Sequence, residues 1–324
     1  MKKPASETLA AYLEKTNLLE LARAHVELIS AHNHLIYRVQ KDYREYALRM
    51  INPESYRKEE WISIPEEYAV LKAIEHTRLG PRVYALDEIH TPSFVIQDFV
   101  RATCFNNLKP LAEEYLIGAA HAIALLNMQN ITPAILPFLD KYTYRGYHQR
   151  LMIWYARLLY ACALTFPRRD VLRWALHITP LLRKTSSLLS RFSNLLPKNQ
   201  WTFHFDGAHC GNTYWQNGKV IFLDWQRISL RNDPTFTLVR FATSTEEKGV
   251  VRDTTISILV RAYTAIRPFP HFAELAWARL LERQTSDLVW VLWDYARRRD
   301  QRPVEQATSV AERYAYLQSL LRSF

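Results

Sequence analysis

Glycine and cysteine are both scarce in this sequence. It has 7 glycines among 324 residues, which leaves little backbone suited to positive φ and excludes a glycine-rich phosphate-binding loop of the usual kind. Its three cysteines, Cys104, Cys162 and Cys210, are odd in number and include no CxxC pair. This pattern argues against a disulfide framework and against a zinc site. We therefore expect reduced thiols and a cytoplasmic protein.

Long apolar runs are also lacking. Residues 116–139 contain no Asp, Glu, Lys or Arg, but they include polar residues and two prolines. This stretch predicts a buried helix followed by a turn rather than a membrane span. The first residues lead into a charged amphipathic segment instead of an apolar signal core. We therefore expect no membrane-spanning segment.

The overall composition is that of a globular protein with a basic surface. Hydrophobic residues make up 48% of the sequence and charged residues 23%, which excludes wholesale disorder. The net charge of +10 favours an anionic partner such as a nucleotide. Nucleic-acid binding is a weaker alternative that rests on charge alone, and it predicts a steep dependence of affinity on salt.

The first hundred residues predict a small sheet that carries one helix. Apolar spacing predicts a leading helix over 6–24, and later segments change to the alternation of half-buried strands. The predicted strands are 26–29, 35–39, 43–50, 82–86 and 93–100, and the predicted helix among them is 65–77. We therefore predict a nucleotide-binding lobe over residues 1–100.

The remaining chain has mainly helical periodicity. The predicted helices are 109–129, 142–165, 168–195, 234–244, 251–266, 271–299 and 303–322. Residues 201–226 are the exception, because Asn217-Gly218 lies between two apolar runs. Such a pair predicts a β-hairpin, since both turn positions require positive φ. The prediction is an α+β fold with a mainly helical lobe over 101–324.

Two carboxylates and one carboxamide, those of Asp206, Asn212 and Asp224, lie close together in the sequence. A short loop and the adjoining hairpin can bring all three to one cleft. Mg²⁺ prefers such oxygen ligands together with phosphate oxygens. Phosphoryl transfer further requires a base or aligner for the nucleophile and a cation near the phosphates. These residues therefore predict a magnesium-nucleotide site.

Arg49, in the predicted third strand, is the candidate for the phosphate-binding cation. Glu67, near the start of the following helix, is its predicted partner, and the adjacent Glu66 is the open alternative. A surface cation on a strand is the simpler interpretation of Arg49.

In this order, the segments resemble the small-molecule kinases that include aminoglycoside phosphotransferases and choline kinases. His204-Phe205-Asp206 with Gly211-Asn212 resembles their catalytic loop, Phe222–Gln226 their metal-binding motif, and Gln97–Val100 the segment between their lobes. The resemblance implies a two-lobed, protein-kinase-like α+β fold that uses ATP or GTP with Mg²⁺. It implies Asp206 as the base, Asn212 and Asp224 as metal ligands, and Arg49 with Glu67 at the nucleotide.

The resemblance also gives an expectation for the acceptor, a small-molecule hydroxyl. The segment 288–293 is similar to the helix that lines the choline-kinase acceptor pocket, and Trp290 and Trp293 could present aromatic faces to a cationic amino alcohol such as choline or ethanolamine. Core packing is the competing interpretation of these tryptophans. An aminoglycoside acceptor remains open because the neighbouring sequence is rich in carboxylates. These are Glu282, Asp287, Asp294 and Asp300.

The sequence departs from the family pattern at three places, and two of them, the shifted Asp206 and the lack of glycine at 30–34, favour a second hypothesis. Asp206 and Asn212 are six positions apart rather than five, so an ungapped alignment places Gly207 at the catalytic aspartate. Thr237 replaces a later aspartate, and residues 30–34 lack glycine. The alternative is therefore a pseudokinase-like module that binds a nucleotide or another ligand without efficient transfer.

Overall fold

The structure is a computed structural model. It describes residues 9, 13, 21, 23–52, 54, 62–88, 93–146, 149–166, 168–246, 249–298 and 301–323, with the backbone alone for 149–152. The predicted leading helix over 6–24 therefore lies outside the described residues, apart from isolated positions. Among these, Leu9, Leu13 and Leu21 are buried with the core of the first sheet.

The chain divides into two compact units, each made of three segments. Unit 1 comprises Met1–Lys109, Leu125–Thr143 and Phe203–Leu230. Unit 2 comprises Pro110–Ala124, Tyr144–Thr202 and Arg231–Phe324. The lobe boundary at residue 100 stays a prediction.

Unit 1 contains a five-stranded antiparallel sheet with the order β1-β2-β3-β5-β4. Its strands are β1 (His25–Ala31), β2 (His34–Lys41), β3 (Arg44–Ile51), β4 (Val83–Asp87) and β5 (Phe94–Asp98). All five strands were predicted, and their ends lie within a few residues of the expected positions.

The central strand β3 is buried on both faces. Tyr46, Leu48 and Met50 belong to the apolar core of the sheet. Because successive side chains of a strand point to opposite faces, Ala47 and Arg49 lie on the other face. Arg49 therefore occupies a buried position of the sheet, and its side chain is only 5% exposed.

Helix α1 (Ile64–Ile74) begins with a capping box. The hydroxyl of Ser63 accepts a hydrogen bond from the backbone N–H of Glu66, and the Glu66 carboxylate accepts one from the backbone N–H of Ser63 at 2.7 Å. A short 3₁₀ turn, Glu75–Thr77, follows. The buried face of α1 contains four apolar residues and one carboxylate, that of Glu67.

The remaining strands are short. They are β6 (Thr103–Cys104), β7 (Thr143–Tyr144), β8 (Thr202–Phe205), β9 (Thr213–Gln216), β10 (Lys219–Phe222) and β11 (Ile228–Arg231). The predicted hairpin is confirmed as β9–β10, and its turn residues Asn217 and Gly218 have φ values of 50° and 77°. β11 lies between β7 and β8.

Unit 2 is built mainly from helices. The helices that follow α1 are α2 (Glu113–Asn127), α3 (Gln149–Leu164), α4 (Arg169–Ser193), α5 (Phe236–Thr245), α6 (Asp253–Ile266), α7 (Phe272–Arg298), α8 (Val304–Ala307) and α9 (Val310–Arg322). Further 3₁₀ turns cover Phe105–Leu108 and Pro137–Tyr142. Helix α7 packs against α3, α4, α5 and α9 and forms the centre of this unit. Across the described residues, no helix has the length and apolar character needed to cross a bilayer.

The capping box gives a stability prediction. Ser63→Ala removes the side-chain cap of α1, and we expect the free energy of unfolding to fall by about 1 kcal/mol. Urea denaturation followed by circular dichroism measures this change. Ser190→Ala, at an exposed position inside α4, is the control and should change stability by less than half as much. Equal effects of the two substitutions would contradict the capping role.

Candidate functional site

The site in unit 1 is organised around the buried guanidinium group of Arg49. One terminal nitrogen donates to Oε1 of Glu67, and the other donates to Oδ1 of Asp224. Burial lowers the pKa of Arg49, but the two carboxylates more than reverse this, so the net shift is upward. The guanidinium therefore stays charged in a place where water is largely excluded.

The structure brings Glu67, rather than Glu66, to Arg49. Glu66 is occupied at the N-terminus of α1, where its carboxylate accepts from the backbone and hydroxyl of Ser63. Glu67 is 1% exposed, and its Oε1 also accepts from the backbone N–H of Trp225 at 3.1 Å. Burial raises the pKa of Glu67, and Arg49 opposes that rise. The Ser63-x-x-Glu66 pattern is a capping signature, so this assignment was accessible from the sequence.

Asp224 lies in the loop after β10 with φ of 66°. This left-handed conformation is uncommon for a residue other than glycine, although aspartate and asparagine adopt it more readily than most. The side chain of Asp224 is 46% exposed, in contrast to its partners Arg49 and Glu67. Asp224 therefore joins the buried ion pair to the solvent-accessible side of the site.

An aromatic cluster fixes the two loops that carry the polar residues. The ring of Trp225 stacks on Phe205 with centroids 4.5 Å apart, and Phe222 lies 5.4 Å from Phe205. Trp225 also donates from its indole nitrogen to the carbonyl of Phe222 at 2.8 Å. A Cβ atom at Gly207 would lie 2.6 Å from the Phe205 ring and 3.3 Å from the carbonyl oxygen of Asp224. The position that an ungapped alignment gives to the catalytic aspartate therefore has no room for a side chain.

Asn212 connects the loop between β8 and β9 (residues 206–212, the catalytic-type loop) to the loop after β10 through hydrogen bonds. Its backbone N–H donates to the carbonyl of His209 and its carbonyl accepts from Leu223, both at 2.9 Å. Its Nδ2 donates to the carbonyl of Gly207 at 3.2 Å and lies 3.5 Å from Oδ2 of Asp224. Within the described part of the chain, Oδ1 of Asn212 accepts no hydrogen bond, so it is free to bind a cation.

Asp206 follows β8 and is held by the neighbouring strand β11. Its Oδ1 accepts a hydrogen bond from the hydroxyl of the buried Ser229 at 2.6 Å. This bond restricts the carboxylate orientation without neutralising its charge. Ser229 was not predicted from the sequence, because nothing marks a serine 23 positions away as a partner.

His34 and Gln226 extend the polar network behind Arg49. The side-chain nitrogen of Gln226 lies 2.8 Å from Nδ1 of His34, and Arg49 approaches the same ring nitrogen at 3.4 Å. Burial, with a smaller contribution from the charge of Arg49, lowers the pKa of His34 to about 2. The ring is therefore neutral at physiological pH. The sequence offered no signal for this contact, which joins residues 192 positions apart.

A cavity of about 390 Å³ lies beside this network, and every residue that lines it belongs to unit 1. Arg49, Asn212 and Asp224 line it, whereas Glu67 supports Arg49 from the buried side and Asp206 is not part of the lining. Other walls come from β1, β2, β3, β9, the end of β5 and the residues that adjoin these strands or β10. They include Ser30, His32, Asn33, His34, Ile36, Ala47, Gln97, Asp98, Phe99, Val100, Tyr214 and Leu223. The volume falls within the range of small-molecule sites.

The two predicted acceptor tryptophans lie on α7 in unit 2. Trp290 is 43% exposed and lines a separate cavity. Trp293 does not line that cavity, and the guanidinium carbons of Arg157 and Arg297 lie 5.2 and 4.7 Å from its ring centre. A role of these tryptophans in acceptor binding stays a prediction.

The lowered pKa of His34 gives a prediction for the pH dependence of stability. As the pH falls below 6.5, the unfolded chain gains a proton at His34 that the folded protein does not bind. The contribution of His34 to stability is therefore lost on acidification, by about 2 kcal/mol between pH 7 and pH 5. Glu67, whose pKa is raised by burial, contributes in the opposite direction. We expect His34→Gln to remove most of this loss, as measured by urea denaturation at the two pH values.

His25→Gln, at an exposed position on β1, is the matched control for this experiment. It should retain the pH dependence of the unmodified protein. If His34→Gln retains it as well, the buried neutral state of His34 is ruled out.

Solved structures share this fold over nearly the whole chain. A choline/ethanolamine kinase family protein from Mesorhizobium loti has a TM-score of 0.64 at 12% identity, with 97% of this chain and 94% of that chain covered. A spectinomycin phosphotransferase solved with ADP and spectinomycin has a TM-score of 0.63 at 10% identity, with 99% and 98% covered. A Plasmodium vivax ethanolamine kinase has a TM-score of 0.62 at 11% identity, with 98% and 88% covered. At these identities the likeness establishes the fold, and it confirms the predicted kinase-like α+β class.

Sequence comparison supplies the family. No curated protein matches the chain significantly. The phosphotransferase enzyme family (APH), in contrast, matches residues 25–277. This match spans well over half of the chain and includes all residues of the site in unit 1. The chain therefore belongs to the phosphotransferase enzyme family.

Proposed function

We propose that this phosphotransferase family member transfers the γ-phosphoryl group of ATP or GTP to a hydroxyl group of a small molecule. The observation that carries the proposal is the cavity lined by Arg49, Asn212 and Asp224. It combines a fixed cation with two oxygen-bearing side chains, which are the components that phosphoryl transfer requires.

Arg49 is the proposed contact for the nucleotide phosphates. Its guanidinium lines the cavity while Glu67 and Asp224 fix its orientation from two sides. A guanidinium held in this way needs little reorganisation when negative charge develops on the transferring group. Arg49 would therefore stabilise the transition state more than a mobile surface cation could.

The end of β5 is the proposed contact for the nucleotide base. Gln97 lines the cavity, and its side-chain oxygen is buried without a hydrogen-bond partner among the described residues. Buried acceptors of this kind usually have a partner, so a donor on a bound base would complete the site.

Asn212 and Asp224 are the proposed ligands of Mg²⁺. The Oδ1 atom of Asn212 is free within the described residues, and Asp224 presents a half-exposed carboxylate to the same cavity. This oxygen donor set fits magnesium, which typically takes one or two protein ligands and completes its shell with phosphate oxygens and water. When bound, the ion would offset the charge of the phosphates.

Asp206 is the proposed base. The hydrogen bond from Ser229 fixes one carboxylate oxygen, so that the group can orient an acceptor hydroxyl and accept its proton. The oxygen of that hydroxyl then forms the new bond to phosphorus as the bond to the departing diphosphate breaks.

The proposed acceptor is an amino alcohol or an aminoglycoside, the classes that the resemblance implies. Of the four carboxylates that the sequence places near the acceptor helix, the three that the structure describes already have partners within α7. Glu282 pairs with Arg279, Asp287 with Arg283 and Asp294 with Arg298. Asp300 lies outside the described residues. The carboxylates are therefore less available to a polycationic aminoglycoside than the sequence alone suggests, which favours the smaller amino alcohols within this proposal.

A binding module without efficient transfer is the second candidate. Two observations favour it: the additional residue between Asp206 and Asn212, and the position of Asp206 outside the lining of the cavity. Such a protein would keep nucleotide affinity through Arg49 and Asp224 while lacking a base directed at the acceptor.

The enzyme proposal predicts the effect of replacing Asp224. Asp224→Asn removes the metal-binding charge but tolerates the left-handed backbone, and we expect kcat/KM to fall by roughly two orders of magnitude. The assay measures magnesium-dependent nucleotide turnover over a panel of amino alcohols, sugars and aminoglycosides.

Asp42→Asn is the matched control, because Asp42 also has positive φ but lies exposed in the turn between β2 and β3. It should retain full activity. Equal turnover by the Asp224→Asn variant and the unmodified protein would refute the proposed function. Tight magnesium-dependent ATP binding with no turnover on any acceptor would support the binding module instead.

A further inference from the structure

Unit 2 contains its own cavity of about 510 Å³, formed by three helices. Arg283, Asp287 and Trp290 contribute from α7, where their spacing places them on one face. Arg157 contributes from α3 and Arg313 from α9, and both of these helices pack against α7. Three arginines thus meet around one space, although they are far apart in the sequence.

The charge of this cavity is strongly positive. The three guanidinium groups of Arg157, Arg283 and Arg313 share a single lining carboxylate, that of Asp287. Glu312 is close enough to influence Arg313 but does not line the cavity. An excess of two positive charges therefore faces the cavity.

Asp287 does not satisfy the hydrogen-bonding capacity of these arginines. Its Oδ1 accepts from Arg283 at 3.2 Å, whereas its Oδ2 lies 3.8 Å from Arg313, beyond hydrogen-bond distance. Nε of Arg283 and Nη1 of Arg313 are buried and lack hydrogen-bond partners among the described residues. Burial and the proximity of Arg283 lower the pKa of Arg313, with Asp287 opposing this shift. Asp287 therefore leaves part of the hydrogen-bonding capacity of Arg283 and Arg313 unused.

The charge of Arg157 is compensated even less by neighbouring carboxylates. Among the described residues it has no hydrogen bond or ion pair, and its ring contact is with Trp293, whose centre lies 5.2 Å from the guanidinium carbon. This partly buried guanidinium has no carboxylate partner in the described part of the chain. Its charge is therefore available to a ligand in the cavity.

We propose that this cavity binds a small organic oxyanion, a phosphate monoester or a carboxylate. The planar fork of arginine suits both groups, which can accept two parallel hydrogen bonds. Trp290, 43% exposed at the wall, supplies an apolar surface for the organic part of the ligand. The proposal does not depend on phosphoryl transfer by unit 1, since it concerns binding alone.

The positive charge of this cavity is the opposite of what the sequence predicted for α7, where a cationic acceptor was expected. Trp290 and Trp293 suggested an aromatic face for a cationic amino alcohol. In the structure, Trp293 is already in contact with the guanidinium groups of Arg157 and Arg297. The cavity at Trp290, already lined by three arginines, would repel a further cation, so an amino alcohol in this space is disfavoured.

Calorimetric titration of the full chain without nucleotide tests the proposal. The probes are phenyl phosphate, benzoate and choline, and the variants are Arg157→Gln and Arg297→Gln. Both arginines contact the ring of Trp293, but only Arg157 lines the cavity. We expect at least one oxyanion to bind, with an affinity roughly tenfold weaker in Arg157→Gln and unchanged in Arg297→Gln.

The relative affinities of phenyl phosphate and benzoate identify the preferred oxyanion. Circular dichroism confirms that both variants fold. Three results would overturn the proposal: no saturable binding of either oxyanion at millimolar concentration, equal weakening by the two substitutions, or tighter binding of choline. Loss of oxyanion binding in Arg157→Gln with intact nucleotide turnover separates this site from that of unit 1.

Discussion

The site in unit 1 depends on one buried guanidinium shared between two carboxylates. Arg49 is carried into the interior by the alternation of β3, and Glu67 interrupts the apolar face of α1 to meet it. Neither charge could remain buried without the other, because an unpaired ion in a dry environment costs several kcal/mol, typically about 3–5 when one partner is removed. Asp224 completes the network at its exposed side. The sheet, helix α1 and the loop after β10 are therefore coupled by electrostatics as well as by packing.

Aromatic packing determines where the loops of the site can lie. Trp225 belongs to both the aromatic cluster and the ion-pair network of Arg49. Its ring stacks on Phe205, and its backbone N–H donates to Glu67. The Phe205 ring fills the space beside Gly207, so the additional residue of the catalytic-type loop is accommodated without a side chain there. The irregular spacing between Asp206 and Asn212 is thus built into the packing. An aspartate introduced at position 207 would displace the aromatic cluster before it could act as a base.

Elements with local signals were predictable from the sequence, whereas contacts between distant segments were not. The hairpin turn at Asn217-Gly218 followed from the φ requirements of two adjacent residues. The family resemblance placed Arg49, Asn212 and Asp224, and the structure brings all three to one cavity. The neutral, buried state of His34 depends on Gln226, 192 positions away, and no local pattern encodes that distance. Likewise, the three arginines of the cavity in unit 2 come from three helices, so their combined charge can be recognised only in the folded structure.

We propose that a rigidly held Arg49 makes unit 1 a site for magnesium and nucleotide. Calorimetric titration of ATP with Mg²⁺ into the Arg49→Lys variant tests it most directly, because lysine keeps the charge but lacks the planar fork that bridges two carboxylates. We expect the affinity for ATP with Mg²⁺ to fall by roughly tenfold or more while the fold is retained. An unchanged affinity in the folded Arg49→Lys variant would contradict this role of Arg49.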